Sequence, residues 1–257
     1  MKSIGDNFCT SSIIMLTDVR LSKQRLRERI WRELEAKGFV SFPKPCHGRI
    51  PNFLGSELAA ERLRSLPAYA SAEVIMANPD AAQLAVRRLA LEDGKRLLMA
   101  SPRLRAGFLL LDPRCIRNPM RAATIRGAFK YGRAVDLRDI KVDLVVEGSV
   151  AVDLKGGRLG KGGGFGDLEV AILTQAGAID DSVTIATTVH ELQIVESVPM
   201  AEHDVPVDLI VTPKRAIEVT RAHRRPEGIL WHLLPPDVFK RMPILAELRR
   251  EVDCGRG

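Results

Sequence analysis

Gly160-Lys161-Gly162-Gly163-Gly164-Phe165-Gly166-Asp167-Leu168-Glu169 is the stretch around which this chain is organised. Three consecutive glycines carry no Cβ, so the backbone there can take positive φ and approach a ligand closely. Successive bare N–H groups in such a turn form a concavity suited to anions. Lys161 adds a mobile cation, and Asp167 a carboxylate able to hold Mg²⁺ beside a phosphate. Residues 168–175 read as the start of a helix, and a helix N-terminus directed at the loop strengthens phosphate binding. The stretch is not a Walker A loop, because no Gly-Lys-Ser/Thr closes it. Nor does it fit Gly-x-Gly-x-x-Gly with an acidic residue at the expected distance. Composition alone leaves a flexible turn open beside a phosphate-binding one.

Outward from the loop, apolar runs alternate with helical periods. Residues 142–146 and 150–154 are strands leading into it. Upstream, 73–77, 96–100 and 108–111 are strands, with a helix over 80–93 ended by Gly94. This β-α-β spacing predicts a right-handed crossover and a parallel pair. Residues 120–130 are expected to be helical. Downstream, 184–189 and 209–211 are core strands, 216–219 an edge strand and 243–252 a terminal helix. Near the start, a helix over 21–37 is capped by Ser22 and ended by Gly38. Leu26, Ile30, Trp31 and Leu34 fall on one of its faces. Lys23 and Arg27 lie one turn apart on another. Residues 43–55 are a connection rich in Pro and Gly, and 56–66 a further helix stopped by Pro67. The alternation predicts a three-layer α/β/α protein with a largely parallel sheet. Residues 1–19 are expected to be a flexible leader, and 20–257 a single domain.

The length of 257 residues suffices for a sizeable core, and 46% hydrophobic with 28% charged residues is globular usage. A formal charge of +7 suits polyanionic partners, nucleic acid or small molecules among them. Cys9, Cys46, Cys115 and Cys254 form no Cys-x-x-Cys pair and have no His at zinc spacing. They read as free thiols of a reducing, cytoplasmic compartment. No apolar run reaches membrane-spanning length, and no segment has the flanks of a signal peptide.

The loop resembles the Gly-Arg-Gly-Gly-Gly-Tyr-Tyr-Asp-Arg loop of the 5-formyltetrahydrofolate cyclo-ligase (5,10-methenyltetrahydrofolate synthetase) family. Ser22-Lys23-Gln24-Arg25-Leu26-Arg27 resembles that family's N-terminal Lys-x-x-x-Arg helix. Val198-Pro199-Met200-Ala201-Glu202-His203-Asp204-Val205-Pro206-Val207-Asp208 resembles its acidic segment before a buried strand. Arg49-Ile50-Pro51-Asn52-Phe53, followed by Ala59-Ala60, is similar to the methenyltetrahydrofolate synthetase domain-containing branch. The resemblance spans roughly residues 20–220, with separated motifs in the expected order.

That resemblance implies a NagB/RpiA/CoA-transferase-like arrangement. It also implies an ATP- and Mg²⁺-dependent ligase converting 5-formyltetrahydrofolate to 5,10-methenyltetrahydrofolate: ATP phosphorylates the formyl oxygen, the N10 amine closes the ring and phosphate leaves. Lys23 and Arg27 would meet phosphates, and Gly160, Lys161, Gly162, Gly163, Gly164, Phe165 and Gly166 would wrap ATP. Lys161 would be the catalytic cation, with Asp167 and Asp204 as Mg²⁺ ligands. Within the loop the chain departs from the pattern in three places. Gly166 stands for the second loop aromatic, Leu168 for the arginine after the aspartate, and Lys161 for an arginine, which keeps charge but loses the bidentate fork. Asn78-Pro79-Asp80 replaces an acidic folate-contacting segment, with Asp80 at the acidic position. Two further readings follow. One is a paralogue that binds nucleotide but acts on another substrate, thiamine-related in some family members. The other is an RNA-binding protein, against which stands the absence of an RNP-like aromatic-basic pattern. The expected partner is a reduced folate or related small molecule, with no membrane; oligomeric state is not legible.

Overall fold

Val74 and Met76 turn to one face of a sheet while Ile75 and Ala77 turn to the other, and all four are buried. A strand apolar on both faces needs a layer on each side, and that requirement sets the architecture. The computed structural model describes residues 6–254, with side chains from residue 18 onward.

The helices are α1 (Asp6–Ala36), α2 (Ser56–Arg64), α3 (Pro67–Ala70), α4 (Leu84–Glu92), α5 (Pro119–Ala122), α6 (Ile125–Tyr131), α7 (Phe165–Gln175), α8 (Val238–Arg241) and α9 (Pro243–Asp253). The strands are β1 (Val74–Ala77), β2 (Arg96–Ala100), β3 (Phe108–Leu111), β4 (Arg133–Ala134), β5 (Leu144–Glu147), β6 (Ala151–Asp153), β7 (Arg158–Leu159), β8 (Thr184–Thr188), β9 (Ile194–Val195), β10 (Leu209–Val211) and β11 (Ala216–Glu218).

Among the described residues, eight strands form one sheet in the order β11-β10-β8-β5-β1-β2-β3-β4. The five from β10 to β2 run parallel, while β3, β4 and β11 add antiparallel edges. The expected α/β class and largely parallel sheet are therefore present. Helices α2 and α4 cover one face; α7 and the C-terminal helices cover the other. Each fully buried Leu, Ile or Val contributes roughly 1.5–3 kcal/mol by leaving water. A small second sheet, β7-β6-β9, carries the 150–154 strand instead of the main sheet receiving it. Helix α1 lies against that small sheet through Leu26, Ile30, Trp31 and Leu34, the face expected from their spacing.

Of the expected leader, residues 6–19 are helical as the first part of α1, and residues 1–5 lie outside the described residues. The helix expected over 120–130 is two helices, because Thr124 accepts the Gly127 N–H and starts a new one. Cys46, Cys115 and Cys254 are free, as expected; the Cys9 side chain lies outside the described residues. Among the described residues, no helix is long and apolar enough to cross a membrane.

The chain steps from β1 to β2 on one side and later places β5 on the other. The crevice between the C-terminal ends of β1 and β5 is thus a topological switch point, where open α/β sheets bind ligands.

Candidate active site

Two residues mark that crevice: Asn78, directly after β1, and Gly148, directly after β5. The Gly148 N–H donates to Asn78 Oδ1 at 2.6 Å, and the Asn78 N–H to the Val146 carbonyl at 3.2 Å. The Asn78 amide also donates to Glu169 Oε2 at 2.8 Å and Glu147 Oε1 at 3.3 Å. This ties β1 and β5 to the first turns of α7, and so to the glycine loop. Burial pushes Glu147 up to about 7, with Arg158 pulling it back, and burial pushes Glu169 well above the carboxylate range, with Glu147 adding to the rise.

Gly162 and Gly164 have φ of 109° and 67°, the left-handed region that glycine enters without strain. Gly164 is the N-cap of α7, and no side chain caps the helix. The first N–H groups of α7 therefore face the loop without intrahelical partners. Asp167, in that first turn, complements the positive end of the helix dipole. Gly163 and Gly166 are glycines for space. A Cβ at 163 would meet the Phe165 ring at 2.9 Å, and one at 166 would lie 2.3 Å from Glu147 Oε2.

The structure brings the separated motifs together. Arg27 Nε donates to the Gly160 carbonyl at 2.7 Å, so α1 clamps the start of the loop. Lys23 forms a buried ion pair with Asp204, whose Oδ2 also accepts the Ala201 N–H at 2.5 Å. Asp167 Oδ1 accepts the N–H of Val205, the residue after Asp204, at 2.9 Å, and takes Arg158 at 2.6 Å. Lys161 pairs with Asp80 Oδ1 at 2.7 Å, so Asp80 reaches the loop from the β1 side. His203 Nε2 stands 3.6 Å from Asp204 Oδ1, half-exposed. Three cations expected at phosphates, Lys23, Arg27 and Lys161, thus hold protein oxygens here.

Sequence reasoning missed Arg158. It is fully buried, 2.6 Å from Asp167 and 3.3 Å from Glu147 Oε2, and it donates to the Gly148 carbonyl at 3.0 Å. Burial opposes its charge, but Asp167 and Glu147 outweigh burial and hold its pKa above the usual value. Its only signal was an arginine two residues before the loop, in a stretch to which the sequence reading gave no element. Glu147 and Glu169 were missed as well, and Asn78 entered only as part of the Asn78-Pro79-Asp80 stretch, since a buried polar network leaves no periodic trace.

Of the carboxylates expected at Mg²⁺, Asp167 and Asp204 each have one oxygen engaged by a cation and a backbone N–H. Among the described residues no third carboxylate, His or Cys joins them. Magnesium is commonly held by one or two carboxylates together with substrate phosphates, so these two residues would be the ones to hold it. Asp167 is the more accessible of the two, since it lines the open cleft while Asp204 is buried.

These features define a doubly wound α/β protein with a glycine-lined, mixed-charge site at the switch point. The model of the 5-formyltetrahydrofolate cyclo-ligase family matches residues 19–213, and the chain belongs to that family. Methenyltetrahydrofolate synthase domain-containing proteins are similar along most of the chain. The one from Mus musculus is 41% identical, covering 94% of this chain and 67% of its own length. The one from Homo sapiens is 39% identical, covering 93% and 64%. The chain thus spans about two thirds of the length of these relatives. Among solved structures, the 5,10-methenyltetrahydrofolate synthetase of Aquifex aeolicus aligns over 82% of this chain and 98% of its own, at 21% identity and a TM-score of 0.49.

Proposed function

We propose that this chain is a ligase that uses Mg-ATP to convert 5-formyltetrahydrofolate into 5,10-methenyltetrahydrofolate. The observation that carries this reading is the meeting of α1, the glycine loop and the 198–208 segment, far apart in sequence, through Arg27–Gly160, Lys23–Asp204 and Asp167–Val205. In this reading the N–H groups of Gly162, Gly163 and Gly164 and of the first turn of α7 cradle phosphates. Lys161 is half-exposed and leaves Asp80 to follow the transferring phosphoryl group, where a mobile cation offsets developing charge. Arg27 fixes the loop's entry, and Arg158 fixes Asp167. Asp167 and Asp204 would hold Mg²⁺, which when bound shields charge between phosphate oxygens. Positioning and charge neutralisation supply the rate, because the protein forms no covalent bond to the substrate.

A second reading, nucleotide use with another substrate, is favoured by Leu168. This residue lines an apolar cleft at the place where the family pattern has an arginine. An absorbance assay for methenyltetrahydrofolate formation with Mg-ATP and 5-formyltetrahydrofolate separates the two. Robust product formation sustains the ligase. No product, with Mg-ATP binding intact by calorimetry, leaves the second reading. Failure to bind Mg-ATP removes both.

A further inference from the structure

Residues 95–133 hold ten Lys or Arg and one acid, Asp112, a net charge of +9. The whole chain carries +7, so the remaining residues together carry −2. The positive charge of the molecule thus belongs to one stretch. Within it, Arg117, Arg121, Arg126, Lys130 and Arg133 are exposed on or beside α5, α6 and the edge strand β4. Asp112 is taken by Arg114 at 2.6 Å, and none of the five forms an ion pair among the described residues. Cations on an edge strand keep a sheet from pairing with another chain, which accounts for Arg133. It does not account for the apolar side chains that stand among the cations. Met120, Ile125 and Phe129 are 49%, 41% and 52% exposed. Ile125 and Phe129 lie one turn apart on α6, and Arg126 and Lys130 lie one turn apart beside them. An apolar row therefore runs along a basic row.

The two rows stand on a fixed base. Gly127 and Ala128 turn inward, and a Cβ at 127 would meet the Arg121 carbonyl oxygen at 1.9 Å, so α6 packs against α5 backbone to backbone. Buried Arg87 donates from α4 to the Ala123 carbonyl at 2.8 Å, between the two helices. A nucleic acid rewards cations and stacking rings but leaves Met120 and Ile125 in water. An anionic bilayer rewards both rows. Its headgroups attract the cations, and the apolar side chains enter the boundary with the acyl chains. The negative balance of the rest of the chain disfavours approach by the other faces and so orients the molecule. We propose that the α5–α6 face, with Arg133 of β4, docks on a membrane surface rich in anionic lipid, with Met120, Ile125 and Phe129 inserted. Such docking needs no spanning helix.

The test is flotation of the full chain with vesicles of phosphatidylcholine, alone or doped with phosphatidylserine. We expect binding to the doped vesicles only, weakening as salt rises. Arg126→Gln/Lys130→Gln and Ile125→Ser/Phe129→Ser should each weaken it roughly tenfold or more, with thermal midpoints checking the fold. Arg249→Gln/Arg250→Gln removes the same charge from exposed positions of α9 and should bind as wild type does. A loss equal to that of Arg126→Gln/Lys130→Gln would reduce the face to bulk charge and overturn the proposal. No binding by wild type, or binding unaffected by Ile125→Ser/Phe129→Ser, overturns it as well. Polyuridylate and polyglutamate, titrated in parallel, stand for a nucleic acid and an acidic protein. If either binds through Arg126 and Lys130 while the vesicles do not bind, the face belongs to that partner and the membrane reading falls.

Discussion

An alanine at Gly166 would press its Cβ to 2.3 Å from Glu147 Oε2 and 3.2 Å from an Arg158 nitrogen. Gly166 has no positive φ, so the reason for glycine here is room for an ion pair. Gly166→Ala should therefore cost about 1–3 kcal/mol through overpacking, read by denaturant unfolding. Gly164→Ala should cost only the left-handed strain of about 1–2 kcal/mol, because nothing lies within 4 Å of the added carbon. The glycines were legible as a loop, but which needed φ and which needed space was not, since Glu147 and Arg158 reach Gly166 from other strands. His190 gives a second residue-level outcome. Its Nδ1 accepts the Leu192 N–H at 3.2 Å, and its ring stacks on Phe39 at 4.4 Å. Burial lowers its pKa from the ordinary 6.5, with Glu191 opposing and Lys214 assisting. A base with a depressed folded-state pKa stabilises the fold above its ordinary value and loses that contribution as pH falls through the folded value. His190→Asn keeps an N-cap acceptor without a titrating ring. Its thermal midpoint should fall less than that of wild type as pH drops below 6.5, and parallel curves would refute the assignment.

The second half of α1, from residue 21, was the most legible stretch, because its two duties follow one period, whereas residues 6–19 of the same helix were expected to be leader. Leu26, Ile30, Trp31 and Leu34 pack inward, and Lys23 and Arg27 reach the loop side. Strand β7 was the least legible, at two residues with no alternation to read. Yet β7 carries Arg158, which joins β5 to the first turn of α7 through Glu147 and Asp167. Removing one partner from a buried pair leaves the other charge without compensation. Arg158→Met should therefore destabilise by about 3–5 kcal/mol, and Arg158→Met/Glu147→Met should recover part of that loss. Equal stability of the single and double variants by chemical denaturation would show that Glu147 and Arg158 do not act as a unit. Arg158→Lys should rescue poorly, because a single ammonium cannot serve Glu147, Asp167 and the Gly148 carbonyl from one plane.

At the scale of the molecule, the parallel strands were readable because both of their faces are apolar. The order of the strands was not, since register and neighbour choice are tertiary. The matched family segment ends at residue 213, which invites the view that residues 214–257 are an appendage. The core argues otherwise. Ile229, Val238, Met242, Leu245 and Leu248 are buried in the same cluster as Val74, Val145, Ile172 and Ile185. Arg225 pairs with Asp208 at the entry to β10, and β11 covers the edge of β10. A chain cut after residue 213 would expose one face of α7 and an unpaired sheet edge, a combination that favours aggregation. We therefore expect the 1–213 fragment to be recovered insoluble or with a molten, dye-binding core. In the intact chain, amides of α7 and α9 should exchange hydrogen with similar protection, as parts of one cooperative unit. A soluble 1–213 fragment with a sharp two-state transition would overturn the single-domain reading of residues 20–257. It would also make residues 226–242, which line the cleft beside the glycine loop, a separable module.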